Sequence, residues 1–479
     1  MMSAFCVAPL VQGVVAPRER ETNGPRAASH VMRERARSRQ SRISAAPDVH
    51  VDATSWRYDS AAIPIADHIE PAVIRLKKLP VLVSPGDVHL MTRALTKAAN
   101  GEAFVFMAGS SVLGDSLDSK SMEGIFRLLV AQVIVLTYLS GLPTVKVGLA
   151  DTAPPSSAAR IGGSAIESTQ VVAEAVDEYF KLSASHNAMH ALAKSTDSML
   201  EWVQIIRDQL SASNAEPRKG REFIDLVDSI ADALDFVQGC GIDVSSEAFR
   251  EPEFFTCRRP NELWFEAALA RKDPLYGHGD AVFSSSAHML SLSGSALDDP
   301  QWVKFASEIA NPVALSVNAG VTPEALIQLV RKLNPQNMPG RIVLVVGMGA
   351  DELWKKMPPL LKAVQKARDL NVLWMCDPIC ENNIVLENGV TTRPFDLITA
   401  EIETFFSICD SEGVMPGGLR IEMTSDNVSE IFGGSLARVS MEKVQAGYDG
   451  TYAPRLNATQ AIEIAYEAGL RLRELRKRK

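Results

Sequence analysis

In this sequence of 479 residues, acidic side chains follow apolar runs at several places, which is the pattern a carboxylate-based site needs. In VLWMCDPICENN, residues 372–383, an apolar run delivers Asp377 and Glu381 to its C-terminal tip, and in LRIEMT another delivers Glu422. Asp115, Asp118 and Glu123 crowd the stretch GDSLDSKSMEG. Carboxylates gathered from several such tips could hold Mg2+ through oxygen ligands, with a phosphorylated or diphosphate substrate completing the shell. On this reading Glu422, Asp377 and Glu381 are catalytic candidates. Glu422, Asp115, Asp118 and Glu123 are the metal candidates, and Lys146, Arg127, Arg393 and Arg455 are candidate contacts to phosphate.

Simpler roles stand beside these. Asp115 and Asp118 can equally cap the helix that starts near Ser121, and Glu123 suits the first turn of that helix. Cys376 and Cys380 form a C-x3-C pair, but zinc sites usually use two close pairs and the six cysteines contain no second one. Cys380 therefore reads as a small inert side chain. His288, in SSSAHML, reads as a packing residue or a hydrogen-bonding support behind a site.

The elements that must position these residues follow a rhythm. AFVFMAG precedes SMEGIFRLLVAQVIVLTYL, then TVKVGLA; further on PVALSVNA, TPEALIQLVRKLN, RIVLVVGMGA, LWKKMPPLLKAVQKA, NVLWMCDP, FDLITAEIETFFSICDSEG and LRIEMT alternate. Apolar runs without polar alternation are strands buried on both faces, and strand–helix–strand repetition argues for parallel βαβ units. Over about 360 residues this predicts an α/β fold, a (β/α)8 barrel whose active-site face is lined by the residues just after each strand. The barrel is expected over residues 51–470, with helical decoration at about 168–250 and a basic tail at 471–479.

Residues 1–50 carry eight arginines between Arg18 and Arg42 among Ser, Pro and Gly, and read as a disordered leader. Glu19, Glu21 and Glu34 spoil the acid-poor signature of a mitochondrial leader, so a cytoplasmic protein is expected. A net charge of -9 gives no footprint for nucleic acid. No apolar run is long enough to predict a transmembrane segment; Leu128–Leu139 is interrupted by Gln132 and Thr137 and reads as a buried helix.

Several of these stretches together carry a resemblance. SSSAHML, NPVALSVNAGVTPEAL, LNPQNMPGRIVLVVGMGAD, WMCDP, TTRPFD, PGGLRIEMTSDNVSE and APRLNATQAIEIA resemble, in order and spacing, the class II 3-deoxy-D-arabino-heptulosonate-7-phosphate (DAHP) synthases. The resemblance covers roughly residues 55–470 and implies a (β/α)8 barrel, often oligomeric, that condenses phosphoenolpyruvate with erythrose 4-phosphate on a divalent metal. Carried over residue by residue, it places Ser111, Cys380 and Ala453 at three of the four metal-ligand positions and keeps only Glu422. Leu149, Ser316, Gly347, APPSS (153–157) and SGSA (293–296) stand where the family's arginines, lysines and a glutamate bind phosphate and carboxylate. Neither serine nor glycine supplies the charge of a bidentate clamp.

These replacements predict a barrel that has left DAHP chemistry. An apolar cavity under an acidic rim suits ionisation and cyclisation of an isoprenyl diphosphate, with Mg2+ drawing off the diphosphate and dry walls protecting the cation. In that character the chain is similar to the fungal sesquiterpene cyclases that make α-ionylideneethane. A catalytically silent homologue acting as a binding subunit, or a residual DAHP synthase, are the alternatives.

Overall fold

In the computed structural model, residues 66–110, 119–151, 168–193, 206–207, 217–241, 253–272, 281–436, 438–448, 450 and 453–478 are described. The N-terminal leader, Ser111, Asp115, Asp118 and the APPSS stretch lie outside them. Eight strands close into one barrel: β1 (Phe104–Gly109), β2 (Thr144–Leu149), β3 (Phe254–Arg258), β4 (Met289–Leu292), β5 (Val313–Val317), β6 (Ile342–Val346), β7 (Val372–Cys376) and β8 (Gly418–Glu422). Each pairs in parallel with its neighbours in the chain, and β8 returns to β1. This is the expected (β/α)8 architecture. Its strands are mostly apolar because one face meets the barrel axis and the other meets helices.

Alternation sorts the two faces. Met107, Leu149, Cys257, Met289, Val345 and Met375 belong to the cluster inside the barrel. Their neighbours Phe106, Ala108, Leu290, Leu344, Leu419 and Ile421 pack outward against the helices. The helix Pro85–Ala99, capped by Ser84, whose Oγ accepts the Asp87 N–H at 3.2 Å, pushes Met91, Leu95 and Ala98 into the inner cluster. It closes the N-terminal end of the barrel. Gly340, just before β6, shows how tightly: with φ of +73°, a Cβ there would meet the carbonyl of Thr92 on that helix at 2.2 Å.

Outside, the helix Ser119–Ser140 lies under the helix Ala458–Arg478, and Gln132 Nε2 donates to the Ala461 carbonyl at 2.7 Å. The segment Lys120–Ser140 is long and apolar enough to cross a membrane, but 67% of its most apolar window is buried inside the protein. A helix covered on two sides carries a wide apolar surface for that reason. Two further helices, Ser168–Ala193 and Pro217–Gly239, come between β2 and β3. The basic C-terminal residues continue the last helix, where Arg471 pairs with Glu403 and Arg478 with Asp410.

At the closed end, the fully buried Arg341 donates to the carbonyls of Asn311, Ala306 and Ile309, tying the end of the helix Pro300–Glu308 to β5 and β6. Burial pushes its pKa down to about 9. Removing the guanidinium strands these carbonyls away from water. Arg341→Met should lower the free energy of unfolding by about 2–4 kcal/mol, measured by urea denaturation; a change within about 0.5 kcal/mol would refute this role.

Candidate active site

At the open end the strand tips converge. In β8 the outward positions are Leu419 and Ile421, so Arg420 and Glu422 face the axis, opposite Met107 and Gly109 of β1. Arg420 is 4% exposed. Its Nε stands 3.7 Å from Asp377 Oδ2, just beyond the tip of β7. Asp377 is fixed in turn: its own N–H donates to the Val346 carbonyl at 2.7 Å and its Oδ1 accepts the Ile379 N–H at 3.2 Å. Across the mouth, buried Asp151 follows β2 and accepts the Arg259 backbone N–H at 2.6 Å.

Burial alone would lower the pKa of Arg420, but the charges of Asp377, Asp151 and Glu422 push it up instead. Burial raises the carboxyls of Asp151 and Asp377, while Arg420 and Arg259 pull them back. Arg393, 6% exposed and donating to the Pro454 carbonyl, is lowered by burial and held up by Asp377 and Glu422. Arg420, Arg259 and Arg393 thus share one mouth with Asp377, Asp151 and Glu422, and Arg455 also feels the charge of Glu422.

Of the residues expected from sequence, the fold brings together Asp377, Glu422 and Arg393, with Arg455 close enough to Glu422 to feel its charge. Glu381 is exposed at the rim, its Oε1 3.7 Å from Cys380 Sγ. Arg455 is engaged by Glu430 through both its backbone and side chain, with Nε to Oε2 at 3.0 Å. Arg127 pairs with Glu123 at 2.7 Å along the helix Ser119–Ser140, in a groove shared with Ser425 and Asp426. Lys146 lies out of phase with the inward residues Val147 and Leu149, so it faces the outer layer. Burial lowers its pKa and nearby Glu253 offsets part of that. Arg420 and Arg259 were missed by sequence reasoning; Arg420 sits two residues before Glu422, and strand periodicity puts both on one face.

The residues present do not fit a divalent ion of the family type. Among the described residues no three His, Cys, Asp or Glu side chains are grouped to hold a metal. The Cys380 thiol is pushed up to about 11 by burial and by the charges of Asp377 and Glu381, and Ala453 offers no side-chain donor. A Cβ on Gly347, beyond β6, would lie 2.9 Å from the Asp377 carbonyl and 3.0 Å from Cys380 Cβ, so the loop after β7 occupies the space a longer side chain would need. Beside Leu149 and Asp151 lies a small gap of about 10 Å³, with room for about one water. His288, whose Nδ1 accepts the Thr256 N–H at 2.9 Å, is held neutral by burial, its pKa pushed down to about 3.

Glu401 supports the mouth from behind. Fully buried on the helix Phe395–Ser411, it accepts the backbone N–H groups of Met348 and Gly349, each at 2.9 Å, and the Asn382 amide at 2.6 Å. It thereby joins the loops after β6 and β7. Burial pushes its pKa up to about 7 against these hydrogen bonds. The folded chain then keeps a proton that the unfolded chain releases, so stability from this group is full below about pH 4.5 and lost as pH rises through about 7. Glu401→Gln should flatten the stability profile between these limits by up to about 3 kcal/mol, followed by thermal melts across pH; identical slopes in the two proteins would refute it.

The chain matches the Class-II DAHP synthetase family over residues 53–158 and 167–469. It is 30% identical over 422 residues to "Phospho-2-dehydro-3-deoxyheptonate aldolase AroG" of Mycolicibacterium smegmatis, covering 83% of this chain and 89% of that protein. It is 27% identical over 435 residues to "Phospho-2-dehydro-3-deoxyheptonate aldolase" of Streptomyces coelicolor, covering 86% and 95%. A solved phospho-2-dehydro-3-deoxyheptonate aldolase from Francisella tularensis covers 84% of this chain and 96% of its own at 9% identity, with a TM-score of 0.40, too distant to bear on the site. These relations overturn the expectation of a diphosphate-ionising lyase or sesquiterpene cyclase: the similarity runs along nearly the whole chain to DAHP synthetases. They also overturn the placing of the chain outside DAHP chemistry on its replaced residues. From the first strand to the last helix, this chain belongs to the Class-II DAHP synthetase family.

Proposed function

We propose that the barrel mouth binds a small phosphorylated acid of the phosphoenolpyruvate class and carries out DAHP synthase chemistry. The observation that supports this best is the family match across all eight strands, with Glu422 kept close to Arg393, Arg420 and Arg455 at the barrel mouth. Guanidinium groups suit a substrate carrying both carboxylate and phosphate, because each can engage two oxygens at once. In the reaction, the methylene carbon of phosphoenolpyruvate attacks the aldehyde carbon of a tetrose phosphate, water adds to the neighbouring carbon that bears the phosphate ester, and phosphate leaves from that carbon to give the ketone. The aldehyde oxygen needs a proton as that bond forms. Asp377 stands beside Arg420, its Oδ2 3.7 Å from Nε, and is suited to hold that guanidinium toward the oxygens of the arriving substrate.

Binding without turnover is a second reading, favoured by the balance of fixed charges at the mouth and by the lack of space at Gly347. The two separate in one assay. Purified protein is given phosphoenolpyruvate and erythrose 4-phosphate, with and without Mg2+ or Mn2+, while loss of the enol absorbance and release of phosphate are followed. Turnover that Asp377→Asn lowers by about 100-fold or more supports the synthase. Saturable binding of phosphoenolpyruvate without its consumption supports the second reading, and the absence of both refutes each.

A further inference from the structure

We infer that the Arg420 guanidinium is the cation around which the mouth carboxylates are organised, occupying by covalent attachment the electrostatic place of a divalent ion. Three observations carry this. Arg420 rises from the inner face of β8, two residues before Glu422, so it cannot swing out to solvent without leaving the packed barrel interior. It faces carboxylates from three separate strand tips, namely Asp151 after β2, Asp377 after β7 and Glu422 at the end of β8, with Asp377 Oδ2 3.7 Å from its Nε. Finally, with Arg420 in place, no three His, Cys, Asp or Glu side chains among the described residues stand close enough together to surround an ion.

A divalent ion approaching these carboxylates meets a like charge already in place, and Arg259 and Arg393 add two more on the flanks. Carboxylates arranged about a guanidinium also differ from those arranged about an ion. The guanidinium offers planar N–H donors along fixed directions, whereas Mg2+ or Mn2+ requires oxygens on several sides at about 2.1 Å. Arg420 blocks that convergence by standing at its centre. The inference holds whether the mouth turns substrate over or only binds it, because it concerns the resting charge of the site.

The test is direct binding of Mn2+, followed by electron paramagnetic resonance and calorimetry on the full chain. Wild type is expected to show no Mn2+ site that depends on Glu422, judged by comparison with Glu422→Gln. Arg420→Met, which exposes the three carboxylates to one another, is expected to gain a Mn2+ site at least about 10-fold tighter than any in wild type and to melt at higher temperature when Mn2+ is added. Arg420→Lys keeps a cation and should gain no such site, which separates charge from packing. If Arg420→Met does not fold, the wild-type comparison still decides. Stoichiometric Mn2+ binding to wild type that Glu422→Gln abolishes would overturn the inference, as would an Arg420→Met protein that binds Mn2+ no better than wild type.

Discussion

A guanidinium buried inside a barrel must have its charge answered nearby, and that requirement shapes the open end of this protein. Desolvating Arg420 without partners would cost several kcal/mol. The cost is offset only if the tips of β2, β7 and β8 bring their carboxylates inward together. That demand fixes more than the side chains. Asp377 is held by backbone bonds to β6 and to its own loop, and Asp151 is held by the first residue after β3. The loops are then tied by Glu401, whose two oxygens span the chain segments following β6 and β7. Charge compensation at the centre and hydrogen bonding at the back act on the same loops.

A second buried arginine works by different means. Arg258, at the tip of β3, is 1% exposed and turns away from the mouth toward Glu178 and Glu266. Glu266 also accepts from the hydroxyls of Ser284 and Ser286, at 3.1 and 2.7 Å. The network joins the helix Ser168–Ala193 to the wall of the barrel, so the helix is attached through a buried polar cluster as well as through apolar contact. Adjacent residues Arg258 and Arg259 thus serve different sides of one strand: one anchors the outer layer and the other faces the site.

Most of the barrel was legible because its strands are buried on both faces and therefore read as uninterrupted apolar runs such as FVFMAG, IVLVV and VLWMC. The strands FFTCR and MLSL were harder: the first carries Thr and Arg after a long helical excursion, and the second is only 4 residues. The same double burial limited the reading of the site. When both faces of a strand are apolar, the sequence does not say which one meets the axis. Lys146 was taken for a mouth residue although its neighbours Val147 and Leu149 hold the inner face. Arg420 went unnoticed although Glu422 had been found, because an arginine beside a leucine and an isoleucine resembles an exposed strand position. Comparison at the level of residue types was also misleading. Replaced ligand positions such as Cys380 and Ala453 suggested a change of chemistry, whereas overall similarity kept the chain with its relatives.

The helix Pro85–Ala99 closes the barrel from below, yet it comes before β1 in the chain. Its inner neighbours include Met375 and Val345, some 250 residues later in sequence. During synthesis this helix must therefore wait, with Met91 and Leu95 uncovered, until most of the strands exist to receive them. Contacts so distant in sequence make ring closure a late and slow event in folding. The chain carries its stopper from the beginning but can seat it only near the end, and in that interval it depends on protection from association with other chains.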